Sequence, residues 1–229
     1  MNFHVLSVIP EVFDEYFNMS VLGKARKRKV VSIKTYNLRN WAADKHRKVD
    51  DSPYGGGPGM VMKVEPIYKA VQFLTKKLKI KNQKRNTRII LFSTRGKLFT
   101  SKEAKRLSKY KNLILICGRY EGVDERVAKY IADEEISVGN FILSGGEIPA
   151  MIIIDAVSRF IPGVLGKNES LEEIKGSFPT YTRPEVFYPD SKNNKKSARG
   201  RSALGRKLAV PKILLSGDHK KIEEWRKKI

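Results

Sequence analysis

Ionisable residues crowd the stretch CGRYEGVDER (117–126), directly after the apolar run NLILIC. Gly118 lets a ligand touch the backbone, since no side chain stands in the way. Around it come Arg119, Tyr120, Glu121, Asp124, Glu125 and Arg126. Carboxylates can take up a proton and guanidiniums can hold an anion. A helix start, where the dipole favours acidic residues, accounts for Asp124 and Glu125. It accounts poorly for Arg119 and Glu121. Two more loops carry glycine. DDSPYGGGPGMVMK (50–63) has four glycines and two prolines, and matches neither GxxxxGK[ST] nor GxGxxG. SVGNFILSGGEIPAM (137–151) places an apolar insert and a Gly-Gly pair before a long apolar helix, with Glu147 suited to the helix dipole. A tight turn explains the first loop equally well. Together the three point to one pocket for a flat, nucleotide-like molecule.

Apolar runs at 3–9, 29–36, 88–93, 112–117 and 134–138 read as buried strands. Helical patterns separate them at 10–25, 65–78, 102–109, 124–132 and 146–161, with Pro66 and Pro149 near helix starts. Strands alternating with helices predict an α/β fold with a mainly parallel sheet, whose strand C-termini carry the ligand. The pattern ends near Pro162. GKNESLEEIKGSFPTYTRP (166–184) has no period and reads as a connector or as a functional loop. Beyond it, 185–210 is basic and rich in Ser, Gly and Asn, and a short helix follows with Asp218 as N-cap and Ile222 and Trp225 on one face.

The chain has 229 residues, with 46 Lys+Arg against 24 Asp+Glu and a formal charge of +22. Such an excess implies a polyanionic partner, either nucleic acid or an anionic membrane, and its clustering at 23–29, 76–88 and 192–207 favours nucleic acid. A lysine-rich proteome would explain the count but not the clusters. The single cysteine, Cys117, excludes an internal disulfide and a cysteine-based zinc site, and its apolar surroundings predict an inert thiol. The N-terminus does not read as a signal peptide, and no apolar run reaches about 18 residues. The expectation is a cytosolic protein without membrane contact.

At these loops the chain resembles the bacterial tRNA (guanine-N1-)-methyltransferase family of the SPOUT superfamily. The likeness spans nearly the whole length, through DKHRKVDDSPYGGGPGMVMK, ICGRYEGVDERV, SVGNFILSGGEIPAMIIIDAVSRFIPGVLG, YTRPEV and LLSGDHKKIEEWR. The resemblance implies an α/β domain (1–165) whose parallel sheet carries a deep trefoil knot, an exception to the rule against threaded connections. A flexible catalytic linker (166–182) and a small, mostly helical tRNA-binding domain (183–229) would follow. It further implies a cytoplasmic homodimer that uses S-adenosylmethionine to methylate N1 of guanosine at tRNA position 37, next to the anticodon, and so keeps the reading frame.

Carried over by position, the methyl donor would lie against Ser93, Gly118, the run Val138, Gly139, Asn140, Phe141, Ile142 and Leu143, and Gly145, Gly146 and Pro149. The family's Ser-Pro-Gln-Gly is here Ser93-Thr94-Arg95-Gly96, and Phe141 stands where a tyrosine is usual. N1 of guanine is protonated at neutral pH, so a base must remove the proton and a cation should steady charge on O6. The resemblance assigns the cation to Arg159 and ties Glu121 to activity, with Mg²⁺ as an ion it could serve; no residue is assigned as a dedicated metal ligand. The family's base is an aspartate in the linker. This linker is shorter and has no aspartate at that position under any alignment. Glu173, and after it Glu172, is then the candidate base, unless both are solvated linker charges. A tRNA-binding protein of the same fold that has lost catalysis is the alternative of a different class.

Overall fold

The computed structural model describes residues 1–78, 86–165, 178–187 and 208–227. The chain divides into two compact units, Met1–Leu171 and Glu172–Ile229. In the first, five parallel strands form one sheet: β1 (Asn2–Ser7), β2 (Ser32–Asn37), β5 (Thr87–Leu98), β6 (Asn112–Ile116) and β7 (Glu134–Ser137), in the order β2-β1-β6-β5-β7. Two short strands, β3 (Asp50–Asp51) and β4 (Val61–Met62), pair separately as a hairpin.

Side chains alternate across the sheet as a period of two requires. Phe3, Val5, Leu113, Leu115 and Cys117 join one core, and Leu6, Ile89, Leu91, Ile114 and Ile116 join the other. Both faces are therefore covered, which is why these strands read as unbroken apolar runs. Helix α3 (Val64–Lys77) buries Ile67, Ala70, Val71 and Leu74 at helical spacing in the second core. Helix α6 (Glu147–Arg159) buries Ala150, Ile153, Ile154 and Val157 at the same spacing in the first. Between them come α4 (Ser101–Leu107), with Thr100 accepting from the Glu103 amide as its cap, and α5 (Glu125–Tyr130), capped by Asp124.

Two elements depart from expectation. The helix expected over 10–25 is broken into a 3-10 turn (Pro10–Phe13), α1 (Asp14–Asn18) and α2 (Ser20–Lys27). Met19 is extended and Ser20 has φ 50°, so the backbone turns there. Gly23 makes the turn possible, because a Cβ on it would stand 2.2 Å from the Asn18 carbonyl oxygen. The strand expected over 88–93 continues to Leu98, but not as a regular ladder. Ile136 of β7 pairs with both Phe92 and Lys97, so residues 93–96 bulge out of the sheet. A Cβ on Gly96 would lie 2.5 Å from the Glu135 carbonyl carbon, so only glycine lets the bulge close back onto β7.

The second unit contains a two-stranded ribbon, β8 (Val186–Phe187) with β9 (Leu208–Ala209), and helices α7 (Lys212–Leu215) and α8 (His219–Lys227). Asp218 accepts from the Lys221 amide at 3.1 Å and so caps α8. The candidate bases Glu172 and Glu173, and the basic stretch 192–207, lie outside the described residues. No helix among the described residues is long and apolar enough to cross a membrane.

Candidate active site

Parallel strands align their C-termini at one edge, where backbone groups are free to meet a ligand. The ends of β5, β6 and β7 surround a cavity of about 470 Å³. The β5 bulge supplies Ser93, Thr94 and Arg95; the loop after β6 supplies Gly118 to Val123; the loop after β7 supplies Val138, Gly139 and Phe141 through Gly146. Pro149, in the first turn of α6, closes the floor. Of the residues that the resemblance assigned to the methyl donor, Asn140 alone is not among the lining residues.

The glycine-rich hairpin of β3 and β4 is stitched to the loop after β6 by backbone bonds. The Glu121 amide donates to the Met60 carbonyl at 3.0 Å, Met62 donates to Gly122 at 2.9 Å, and Asp124 donates to Met62 at 3.0 Å. A Cβ on Gly59, which has φ +80°, would overlap the Glu121 side chain at 2.3 Å. Glu121 is thus held against bare backbone, with its side chain exposed at the cavity rim.

Beneath the cavity lies a polar cluster that the sequence reading undervalued. Glu147 is buried at 4 % exposure. Ser7 Oγ donates to its Oε1 at 2.7 Å, and Arg119 Nε lies 3.2 Å from its Oε2. A charge so buried persists only when paired and hydrogen-bonded, and both conditions are met. Gly145 makes room for it, and Gly146 lets the turn pack against the end of β6. A Cβ on Gly145 would stand 2.4 Å from Glu147 Oε2, and one on Gly146 would stand 2.7 Å from Cys117 Cα. The Gly-Gly pair ahead of a glutamate is the signal that could have located the cluster. It also explains Arg119, which a helix start did not. Burial, then the nearby Glu147 charge, pushes the Cys117 thiol well above its ordinary range, so it is no nucleophile.

At the other wall Arg95 reaches out of the bulge to Glu125, with Nη2 2.6 Å from Oε2 and 3.9 Å from Glu135 Oε1. Arg126 turns back on Asp124 at 2.6 Å. Among the described residues no group of three His, Cys, Asp or Glu side chains is placed to hold a metal ion.

Arg159 is not at this cavity. It ends α6, exposed, while the helix begins at the cavity floor. Ten residues separate it from Pro149, about 15 Å at 1.5 Å per residue. It makes no ion pair with a described residue. Ile148, Ile152, Asp155 and Arg159 recur at helical spacing along one stripe, so Arg159 shares its face with two exposed isoleucines.

The family model for tRNA (Guanine-1)-methyltransferase TrmD matches residues 1–229. A tRNA (guanine-N(1)-)-methyltransferase of Dictyoglomus turgidum is 48% identical, over 98% of this chain and 82% of the relative. One from Carboxydothermus hydrogenoformans is 46% identical, over 100% of this chain and 82% of its own. Among solved structures, the tRNA (m1G37) methyltransferase from Aquifex aeolicus superposes with a TM-score of 0.76 at 39% identity, covering 98% of this chain and 87% of that one. A cavity built by glycine loops at the sheet's C-terminal edge, in a chain matched from end to end, leaves no doubt of kinship: the protein belongs to the tRNA (guanine-N1)-methyltransferase family.

Proposed function

We propose that this protein transfers the methyl group of S-adenosylmethionine to N1 of guanosine 37 of tRNA, and that the cavity between the β5, β6 and β7 ends holds the donor. The observation that carries the reading is that cavity, in a chain whose family match is complete. Its glycines leave bare backbone where a flat nucleoside must approach, and its volume suits a ligand of that size. The bound sulfonium supplies an already activated methyl group.

The chain's own residues then have four tasks. Gly118, Gly145 and Gly146 admit the adenosine, and Val138, Gly139 and Phe141 to Leu143 present backbone groups to its edges. A base must take the N1 proton; in this reading it is Glu173, or Glu172, delivered by the linker 166–182. Arg159 offsets the charge that spreads to O6 as N1 loses its proton. Glu121 faces the rim, where it can orient the guanine. The described side chains do not by themselves assemble a Mg²⁺ site, so an ion would rest on Glu121 and on substrate oxygens.

Arg159 can fulfil its task only if a second copy brings it to the first copy's cavity. A homodimer is therefore part of the proposal. The stripe that carries Arg159 exposes Ile148 at 54 % and Ile152 at 40 %. Tyr16 of α1 adjoins it, donating to Asp155 Oδ2 at 2.7 Å. An apolar face of this kind is what a symmetric dimer covers. The family's knotted crossing, a cytoplasmic location and tRNA binding by 183–229 complete the reading, and the charge of +22 supports the last.

The test is titration calorimetry with S-adenosylmethionine, then methyl incorporation into tRNA transcripts carrying guanosine or adenosine at position 37. Transfer confined to guanosine 37 is expected. Binding without transfer would instead mark a tRNA-binding protein that has lost its chemistry.

A further inference from the structure

The second unit contains a concavity of its own that nothing in the methyl-transfer site uses. It measures about 540 Å³ and lies between the segment entering β8 and helices α7 and α8. Phe178, Tyr181, Leu214 and Ile222 supply aromatic and aliphatic wall, and Leu215 is left 46 % exposed there. A cation already sits over one of these rings: Arg226 Cζ is 4.4 Å from the Phe178 ring centroid. The Tyr181 and Trp225 rings lie 6.4 Å apart at 53°. Arg183 and Arg226 bring two guanidiniums to the lining, and Glu185 brings one carboxylate.

We infer that this concavity receives an unstacked nucleobase of the RNA substrate, apart from the base that is methylated. The inference rests on tRNA being the substrate. Each part has a physical reason. A base offers a π-face to an aromatic wall, and such stacking tolerates any sequence. A guanidinium held over an aromatic ring adds to that wall and stays attractive to the adjoining phosphates. Glu185 can accept from an exocyclic amine, which gives the pocket a preference for bases that carry one. Charge settles the occupant in favour of RNA over an apolar peptide. Residues 172–229 hold 15 Lys+Arg against 7 Asp+Glu, an excess of eight on a short segment.

The experiment uses the full chain and tRNA transcripts in which each unpaired nucleoside of the anticodon loop is replaced, one at a time, by an abasic residue. Affinities are measured for the natural protein, for Tyr181→Ala and for Arg226→Lys, which keeps the charge and loses the planar fork. Each variant should bind unmodified tRNA about 5- to 100-fold more weakly. At one position the abasic transcript should lose affinity for the natural protein and lose no more with either variant. Arg226→Lys should leave the salt dependence unchanged, because no charge is removed. If every abasic transcript responds alike in all three proteins, the base pocket is overturned. If the variants instead melt earlier without RNA and show no coupling, the concavity is seating for the chain itself. Failure of the natural protein to bind any tRNA would sink the functional reading, and is told apart by the unmodified transcript.

Discussion

Arg119 and Glu147 meet at 3.2 Å across the base of the cavity, one from the loop after β6 and the other from the first turn of α6. Ser7, at the end of β1, completes the cluster at 2.7 Å. Three elements far apart in sequence are thereby locked at the sheet edge. Glu147→Gln keeps the shape and removes the charge, leaving Arg119 without its buried partner. We expect a loss of about 2–3 kcal/mol, at or below the low end for breaking a buried pair because Arg119 is partly exposed. Urea unfolding measures it, and an unchanged midpoint would show that the cluster holds nothing together.

Gly146→Ala tests the closeness of the loops. Its Cβ would stand 2.7 Å from Cys117 Cα and 3.0 Å from the Gly118 nitrogen, both backbone atoms that cannot swing aside. Overpacking of this kind costs about 1–3 kcal/mol of fold stability, and the displaced turn should weaken binding of S-adenosylmethionine. Calorimetry reads the change directly. Natural affinity would mean that the donor does not lie against this turn.

Arg159 separates chemistry from binding. Arg159→Ala should lower single-turnover methyl transfer by about 10²–10³ and leave donor affinity unchanged. Mixed with Gly146→Ala protein, it should regain activity, because a mixed dimer assembles one intact site. No recovery on mixing would rule out a shared site.

Replacing both Glu172 and Glu173 with glutamine asks whether the linker delivers the base. A drop of about 10²–10⁴ in single-turnover rate is the expected result. An unaltered rate would remove both from the mechanism.

Acid stability has a local source. Glu103 is nearly buried, and its pKa is held below the ordinary 4.5 by the Lys97 ammonium, with Arg106 adding to it. A carboxylate whose folded pKa is depressed stabilises the fold above its unfolded value, and that contribution fades as pH falls through the folded value. Stability should therefore decline below about pH 4.5, and Glu103→Gln should flatten that decline. Denaturant midpoints between pH 3 and pH 6 would measure it; equal slopes in both proteins would remove Glu103 as the source.

The strands were legible because burial on both faces writes them as plain apolar runs, as at Leu113 to Ile116. Helices α3 and α6 were legible from the spacing of Ile67–Leu74 and Ala150–Val157. The break at Met19–Ser20 was not, since the sequence keeps helical spacing through a backbone turn that only Gly23 permits. The bulge at 93–96 was hidden for a related reason: it depends on Gly96 meeting the Glu135 backbone, a contact 39 positions away. Glu147 was misjudged because an acidic residue at a helix start is adequately explained by the dipole, and burial is a property of the assembled fold. Positions around the cavity came from family likeness, which orders residues along the chain but does not say that Arg159 ends up distant from the pocket.

The bulge in β5 has a consequence for how such a protein can change over time. Because Ile136 pairs with Phe92 before it and Lys97 after it, residues 93–95 project outside the ladder. Substitutions at Thr94 alter the mouth of the cavity without shifting strand register, whereas Arg95 also ties the bulge to Glu125. Gly96 is the hinge on which that freedom depends, since any side chain there would collide with β7. The sheet thus separates a segment open to drift from the frame that must stay constant, within a single strand.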